Sequence, residues 1–246
     1  MKQWIIGRNP VYEVLRAGRR EVFRLWVAKE ADKQRHLADA LNLSARKGLP
    51  VEYVQRQQLD RMSKNHQGVA LEVGDYPYQT MFDIFDLADA RGEPPFLLIL
   101  DTVQDPRNLG TLFRTAEVVG VHGVLLPLRR TATVTPAVVT TSSGASEHLL
   151  VVQTNLARAI NSIKAKGVWV YGLEGSPQAK SIPDSDLSGP IALVVGNEGY
   201  GMRSLVRKSC DVLLSLPSRG RIDSLNAAVA GSVALYFAWQ ARQFSR

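Results

Sequence analysis

The sequence predicts an α/β protein: a mostly parallel-sheet domain preceded by a smaller α/β domain. Three observations carry this. Phe96–Leu100 and Ile191–Val195 are continuously apolar, as strands covered on both faces of a parallel sheet must be. Each feeds a polar loop containing glycine or proline and then a helix-spaced pattern, the alternation of a layered α/β fold. Strand and helix patterns also alternate over the first 75 residues, which is enough for a compact domain of their own.

Taken in order, Trp4–Ile6 reads as a strand ending at Gly7. Asn9 is placed as N-cap and Pro10 at the first helical position of VYEVLRAG, which Gly18 closes. Val22–Ala28 alternates as a strand, and Asp32–Lys47 is a charged amphipathic helix ended by Gly48. Val51–Val54, Gln57–Met62 and Val69–Val73 follow as strand, short helix and strand. The loops of this region hold Gly7-Arg8-Asn9, Arg19-Arg20 and Lys64–Gly68, whose basic and amide side chains suit phosphates and bases. His66 reads either as an RNA contact or as a loop residue hydrogen-bonded to backbone.

Tyr76–Pro95 differs in character. Pro77, the acidic Asp83, Asp86 and Asp89, apolar Ile84 and Phe85, then Gly92 and Pro94-Pro95 mark a linker carrying one short helix packed on one of the domains. The expected boundaries are 1–75, 76–95 and 96–246.

The second domain is organised around Phe96–Gly120. Asp101 ends the strand, Asp105-Pro106 marks a turn, and Leu109, Leu112, Phe113, Ala116 and Val119 share a helix face that Gly120 stops. Asn108 and Arg114, six apart, are expected to face the loop mouth from adjacent turns. After the strand Val124–Leu126, a Thr/Val/Pro-rich stretch leads into a helix. Leu149–Val152, Leu156–Lys166 and Val168–Gly172 then read as strand, helix and strand, with Leu173-Glu174-Gly175 at the last strand's carboxyl end. Ile191–Val195 runs into Gly196-Asn197-Glu198-Gly199-Tyr200-Gly201. Val212–Leu216 runs into PSRGRIDSLN and a helix whose early face is small, Ala227 to Ser232. Asp223 or Ser224 is the expected N-cap of that helix. Three strands feeding polar loops at one sheet end describe a site, because open α/β sheets bind ligands at the carboxyl ends of their strands.

Composition narrows the function. Apolar residues are 45% and charged residues 22% of 246, ordinary for a soluble globular protein. No apolar run approaches the ~20 residues that span a bilayer, and MKQWIIGRNP lacks a signal peptide's apolar core. The single cysteine, Cys210, excludes an internal disulfide and fits a reducing, cytoplasmic setting; it reads as structural. The four histidines are scattered, so no metal site is expected. Net charge is +7, with 14 Lys/Arg against 9 Asp/Glu in residues 1–75 and 16 against 14 in residues 76–246. The first domain is therefore the candidate polyanion-facing module, the alternative being a merely soluble basic surface. There is no GxxxxGK[ST] loop, and glycines at 196, 199 and 201 do not form the GxGxxG dinucleotide pattern.

DTVQDPRNLGTLFRTA, LVVGNEGYGM and LPSRGRIDSLNAAVA resemble, in order and spacing, the three motifs of the SpoU/TrmH-type RNA ribose 2′-O-methyltransferases. IIGRNPVYEVL to HQGVALEV resembles the family's substrate-binding domain, and Ser142–Glu147 also fits. The resemblance covers nearly the whole chain and points to the group that methylates a guanosine ribose of large-subunit (23S) ribosomal RNA. It implies a trefoil-knotted SPOUT domain that binds S-adenosyl-L-methionine and forms a homodimer, with a smaller L30e-like RNA-binding domain before it. It marks Leu173, Gly175, Gly196, Leu216 and Leu225 for the cofactor. It marks Asn108, Arg114, Glu198, Ser224 and Asn226 around the methyl acceptor. A transfer RNA substrate and an inactive RNA-binding homologue are the alternatives.

Overall fold

The computed structural model describes residues 2–31, 35–221 and 225–243. They form two compact units, Met1–Pro77 with Thr133–His148, and Tyr78–Ala132 with Leu149–Arg246. These depart from the expected boundaries at two places: Thr133–His148 groups with the first unit rather than with the rest of 96–246, and residues 78–95 of the expected linker group with the second.

In the first unit, β1 (Gln3–Ile6), α1 (Arg8–Ala17), β2 (Val22–Ala28), α2 (Arg35–Arg46), β3 (Val51–Val54), α3 (Arg56–Asp60) and β4 (Val69–Val73) alternate along the chain. The sheet order is β1-β4-β2-β3, with β4 antiparallel to both neighbours and β2 parallel to β3. The start of α1 departs from expectation. The helix begins at Arg8, with Gly7 at φ 99° as the entry residue, a backbone angle that glycine adopts without strain. No cap side chain is needed from Asn9, because Gln67 Oε1 accepts the Arg8 N–H at 2.9 Å.

The second unit opens with α4 (Met81–Arg91), where Thr80 and Asp83 form a reciprocal cap. The linker helix is thus integral to this unit, with Ile84 fully buried in its core. Then follow β5 (Phe96–Leu100), α5 (Pro106–Val118) and β6 (Gly123–Pro127). The chain next contributes α6 (Pro136–Thr141) to the first unit. It continues with β7 (Leu150–Thr154), α7 (Leu156–Lys164), β8 (Trp169–Leu173), the short β9 (Lys180–Ser181), β10 (Ile191–Val195), α8 (Ser204–Ser209), β11 (Val212–Ser215) and α9 (Ala227–Ala241).

The seven strands lie in the order β7-β6-β5-β10-β8-β11-β9, and every pairing is parallel. The central strands β5, β6 and β10 are buried along their whole length. On one face Leu97, Ile99 and Val194 pack with Ile160, Ile163, Met202 and Val206. Successive strand residues alternate in direction, so Val195 turns to the other face, beneath α5 and α9. There a side-chain carbon on Gly231 would lie 2.6 Å from Leu112 and 3.0 Å from Val195. The small early face of α9 is therefore what lets it settle on the sheet. Because β10 lies between β5 and β8, with β11 beyond, the loops leaving these four strands emerge side by side.

Candidate functional site

The loop after β10 is folded back on itself. Asn197 and Gly201 exchange backbone hydrogen bonds of 2.9 Å each way. A side-chain carbon at Gly196 would stand 2.3 Å from the Gly201 carbonyl carbon and 2.4 Å from the Met202 nitrogen. Only glycine permits that closure. The Asn197 side chain fastens the turn twice, accepting the Gly199 N–H at 2.9 Å and donating to the Thr102 carbonyl at 3.0 Å. Thr102 itself has φ 63°, a left-handed conformation uncommon for a β-branched residue and held here by its surroundings.

Asp101, fully buried at the end of β5, adds a second tie. It accepts the Arg203 backbone N–H at 2.8 Å and the Arg203 Nε–H at 2.7 Å. The β5 and β10 loops are thereby locked together by charge-assisted bonds. Nothing in the sequence pairs these two residues. The only signal was a carboxylate closing an otherwise apolar strand.

Glu198 leaves this turn and meets two amides. Its Oε1 accepts from Asn108 Nδ2 and, at 3.0 Å, from Asn226 Nδ2. Asn108 lies in the first turn of α5, whose N-cap Asp105 accepts the Arg107 N–H at 2.8 Å. Asn226 is the N-cap of α9, its Oδ1 accepting from Ala228 and Val229 N–H. That corrects the expected cap, Asp223 or Ser224. Both of these lie outside the described residues, and so does the predicted site residue Ser224. Three predicted site residues from three loops are thus joined by side-chain hydrogen bonds. Arg114 lies six residues beyond Asn108 on α5. A helix advances about 100° per residue, so a residue six on is turned roughly 120° away. Arg114 sits on the exposed side of α5 and lines neither pocket described next.

A pocket of about 480 Å³ opens beside Glu198. Leu173, Gly175, Gly196, Leu216 and Leu225, the five residues marked for the cofactor, all line it. Leu214 adds an apolar wall and Glu174 a carboxylate. Arg207 grips Glu174 through two bonds, 2.5 and 2.9 Å, which holds its carboxyl below the usual range. A smaller pocket of about 190 Å³, lined by Gln104, Asp105 and Asn108, shares Gly196, Asn197, Glu198 and Ala227 with the first. Glu198 therefore stands on the wall between two adjoining spaces.

Other expectations resolve locally. The His66 ring is fully buried, with Nδ1 accepting the Gly68 N–H at 2.8 Å and Nε2 2.9 Å from Asp60. It is a structural loop residue with no face for RNA. Arg20 is likewise buried against Glu147, so its guanidinium has no face for a phosphate, and Arg19 donates to the Glu147 carbonyl at 3.1 Å. Cys210 bonds the Val206 carbonyl, and burial pushes its thiol pKa up to about 12, an inert group. Among the described residues no cluster of His, Cys, Asp or Glu suits a metal ion, and no helix is long and apolar enough to cross a membrane.

Comparison with known proteins identifies the family. Residues 95–236 match the model of the SpoU rRNA methylase family, and residues 4–79 match that of the RNA 2′-O ribose methyltransferase substrate-binding domain. The YacO protein of Bacillus subtilis, named as a TrmH family tRNA/rRNA methyltransferase, is 39% identical over 97% of this chain and 96% of its own. An uncharacterized tRNA/rRNA methyltransferase of Mycobacterium ulcerans is 44% identical over 94% of this chain and 74% of its own. The SpoU methyltransferase AviRb of Streptomyces viridochromogenes, solved in complex with the cofactor AdoMet, has the same fold. It superimposes with a TM-score of 0.81 at 23% identity, covering 99% of this chain and 92% of its own. With both domain models matched in order and a close relative aligned along nearly its full length, the chain belongs to the SpoU family of RNA ribose methyltransferases.

Proposed function

We propose that this protein transfers a methyl group from S-adenosylmethionine to a ribose 2′-hydroxyl of RNA, the acceptor being a guanosine of large-subunit (23S) ribosomal RNA. The observation that carries this is Glu198, held by the amides of Asn108 and Asn226 on the wall between two pockets.

The larger pocket suits the cofactor. Its volume falls in the range of small-molecule sites. Leucines from the end of β8, from β11 and from the loop before α9 offer apolar walls for an adenine, and the Glu198 carboxylate suits a ligand carrying a sulfonium and an ammonium. Leu173, Gly175, Gly196, Leu216 and Leu225 would hold it. When bound, S-adenosylmethionine supplies an activated methyl group with its own leaving group.

The chain's own residues must then orient the acceptor oxygen and receive its proton. Glu198 is the chemically direct acceptor, a carboxylate fixed by two donors yet open to solvent. Asn108 and Asn226 hold it in place, and Ser224 is assigned to the ribose by family match. Arg114 clamps the neighbouring phosphate in bidentate fashion, since a guanidinium is a poor base and presents a planar fork of donors.

The first unit is proposed as the L30e-like module that recruits the RNA, and its presence favours ribosomal RNA over a smaller substrate. The trefoil knot is proposed from the family, supported by the placement of β10 between β5 and β8 with β11 beyond. A homodimer through α9 is supported by the half-exposed Val229 and Tyr236 on that helix. A sedimentation mass of one subunit at micromolar concentration would refute the dimer. The function is tested by mapping ribose methylation on RNA from cells lacking the protein. One lost 23S guanosine methylation, restored by the purified protein and S-adenosylmethionine, is expected. An unchanged map overturns the proposal.

A further inference from the structure

Tyr200 is 95% exposed, against 45% for Tyr236 and 51% for Tyr53. It sits at the tip of the Asn197–Gly201 turn, two residues from Glu198 and flanked by glycines. The closure of the turn does not use this side chain, since backbone bonds and the Asn197 amide make it. The turn is also stiff. Its ends are joined by two backbone hydrogen bonds, and Asn197 fastens it to Gly199 and to Thr102 of the β5 loop. A rigid support thus presents a bare aromatic face at the rim of the site, outside the residues that line either pocket.

Ribose methylation brings a single nucleotide to Glu198, and bases taken out of a helix are commonly held by stacking on aromatic side chains. We propose that Tyr200 is a stacking platform for an unpaired base of the RNA at the methylation site, an assignment that rests on the RNA methyltransferase reading above. Tyr200 is a positioning residue here. It grips the substrate without touching the reacting atoms, so its loss is felt in RNA affinity and spares the cofactor.

The test compares wild type with Tyr200→Ala, Tyr200→Phe and Tyr200→Trp in full-length protein. Methyl transfer is followed over a range of RNA concentrations, S-adenosylmethionine binding by calorimetry, and mass by sedimentation. Stacking on one base predicts that Tyr200→Ala raises the half-saturating RNA concentration ~10- to 100-fold, with Phe and Trp within about threefold of wild type. Turnover at saturating RNA, S-adenosylmethionine affinity and sedimentation mass stay unchanged. An active wild type whose Tyr200→Ala variant saturates alike overturns the stacking role alone. A changed mass overturns it too, placing Tyr200 between copies of the chain. A wild type that transfers no methyl group to RNA instead removes the reading on which the inference stands.

Discussion

Asn226 divides its side chain between helix and site: Oδ1 caps α9 through the N–H groups of Ala228 (2.9 Å) and Val229 (3.2 Å), while Nδ2 donates to Glu198 at 3.0 Å and to Asn108 Oδ1 at 3.5 Å. Helix end and acidic group are therefore set by one residue. Asn226→Asp keeps a good cap but removes the donor and faces Glu198 with a like charge. Its thermal unfolding is expected to stay close to wild type while methyl transfer is lost. Asn226→Ala loses both functions and also costs about 0.5–2 kcal/mol of stability. Equal activity of Asn226→Asp and wild type would show that the Asn226–Glu198 bond is not needed for turnover.

Glu198 and Arg114 are separable by chemistry. An amide cannot take a proton, so Glu198→Gln is expected to lower turnover by roughly 10²–10⁴-fold, with little change in S-adenosylmethionine binding. A variant as active as wild type across pH would remove Glu198 from the proton-accepting role. Arg114→Lys keeps the charge and loses the fork geometry that a bidentate phosphate contact uses. It is expected to recover little of the activity lost in Arg114→Ala. Near-complete recovery by lysine would rule out the bidentate clamp.

The most legible parts of the fold were those whose environment leaves a one-dimensional trace. β5 and β10 begin and end where the apolar runs Phe96–Leu100 and Ile191–Val195 do, because each strand is buried on both faces. Asn108, Glu198 and Asn226 were legible as polar residues on loops, but their meeting depends on strand order, which sequence periodicity does not encode. The caps of α1 and α9 were misplaced for a related reason. Gln67 satisfies the Arg8 N–H from 59 residues away, and a later asparagine takes the cap expected of Asp223 or Ser224. The grouping of Thr133–His148 with the first unit rests on long-range pairs such as Arg20–Glu147, and no local pattern reports these.

The Glu174–Arg207 pair makes a pH prediction. Hydrogen bonding from Arg207 lowers the Glu174 pKa in the folded protein. The pair's contribution is therefore present above the unfolded carboxyl's pKa, about 4.3, and is lost as pH falls through the lower folded value. Glu174→Gln removes it. The gap in unfolding midpoint between wild type and Glu174→Gln is expected to be widest near neutral pH and to close in acid. It should be modest, because Arg207 is 40% exposed. A gap that widens on acidification would reverse the assigned sign.

Arg20 and Glu147 form the most deeply buried ion pair of the first unit's described residues, with side chains 0% and 1% exposed. Two parallel bonds of 2.8 Å join them, and the Tyr76 ring lies 4.9 Å from the guanidinium. Such a pair weighs asymmetrically on stability. Its formation gains little over apolar packing, because both ions lose their water, but removing one partner strands the other's charge. Arg20→Met and Glu147→Leu are each expected to destabilise by about 3–5 kcal/mol in urea unfolding of the full chain. The double variant, with no charge left to strand, should lie closer to wild type than either single one. Additive losses in the double variant would mean that the two groups act independently and that the segment carrying Glu147 is held by its other contacts.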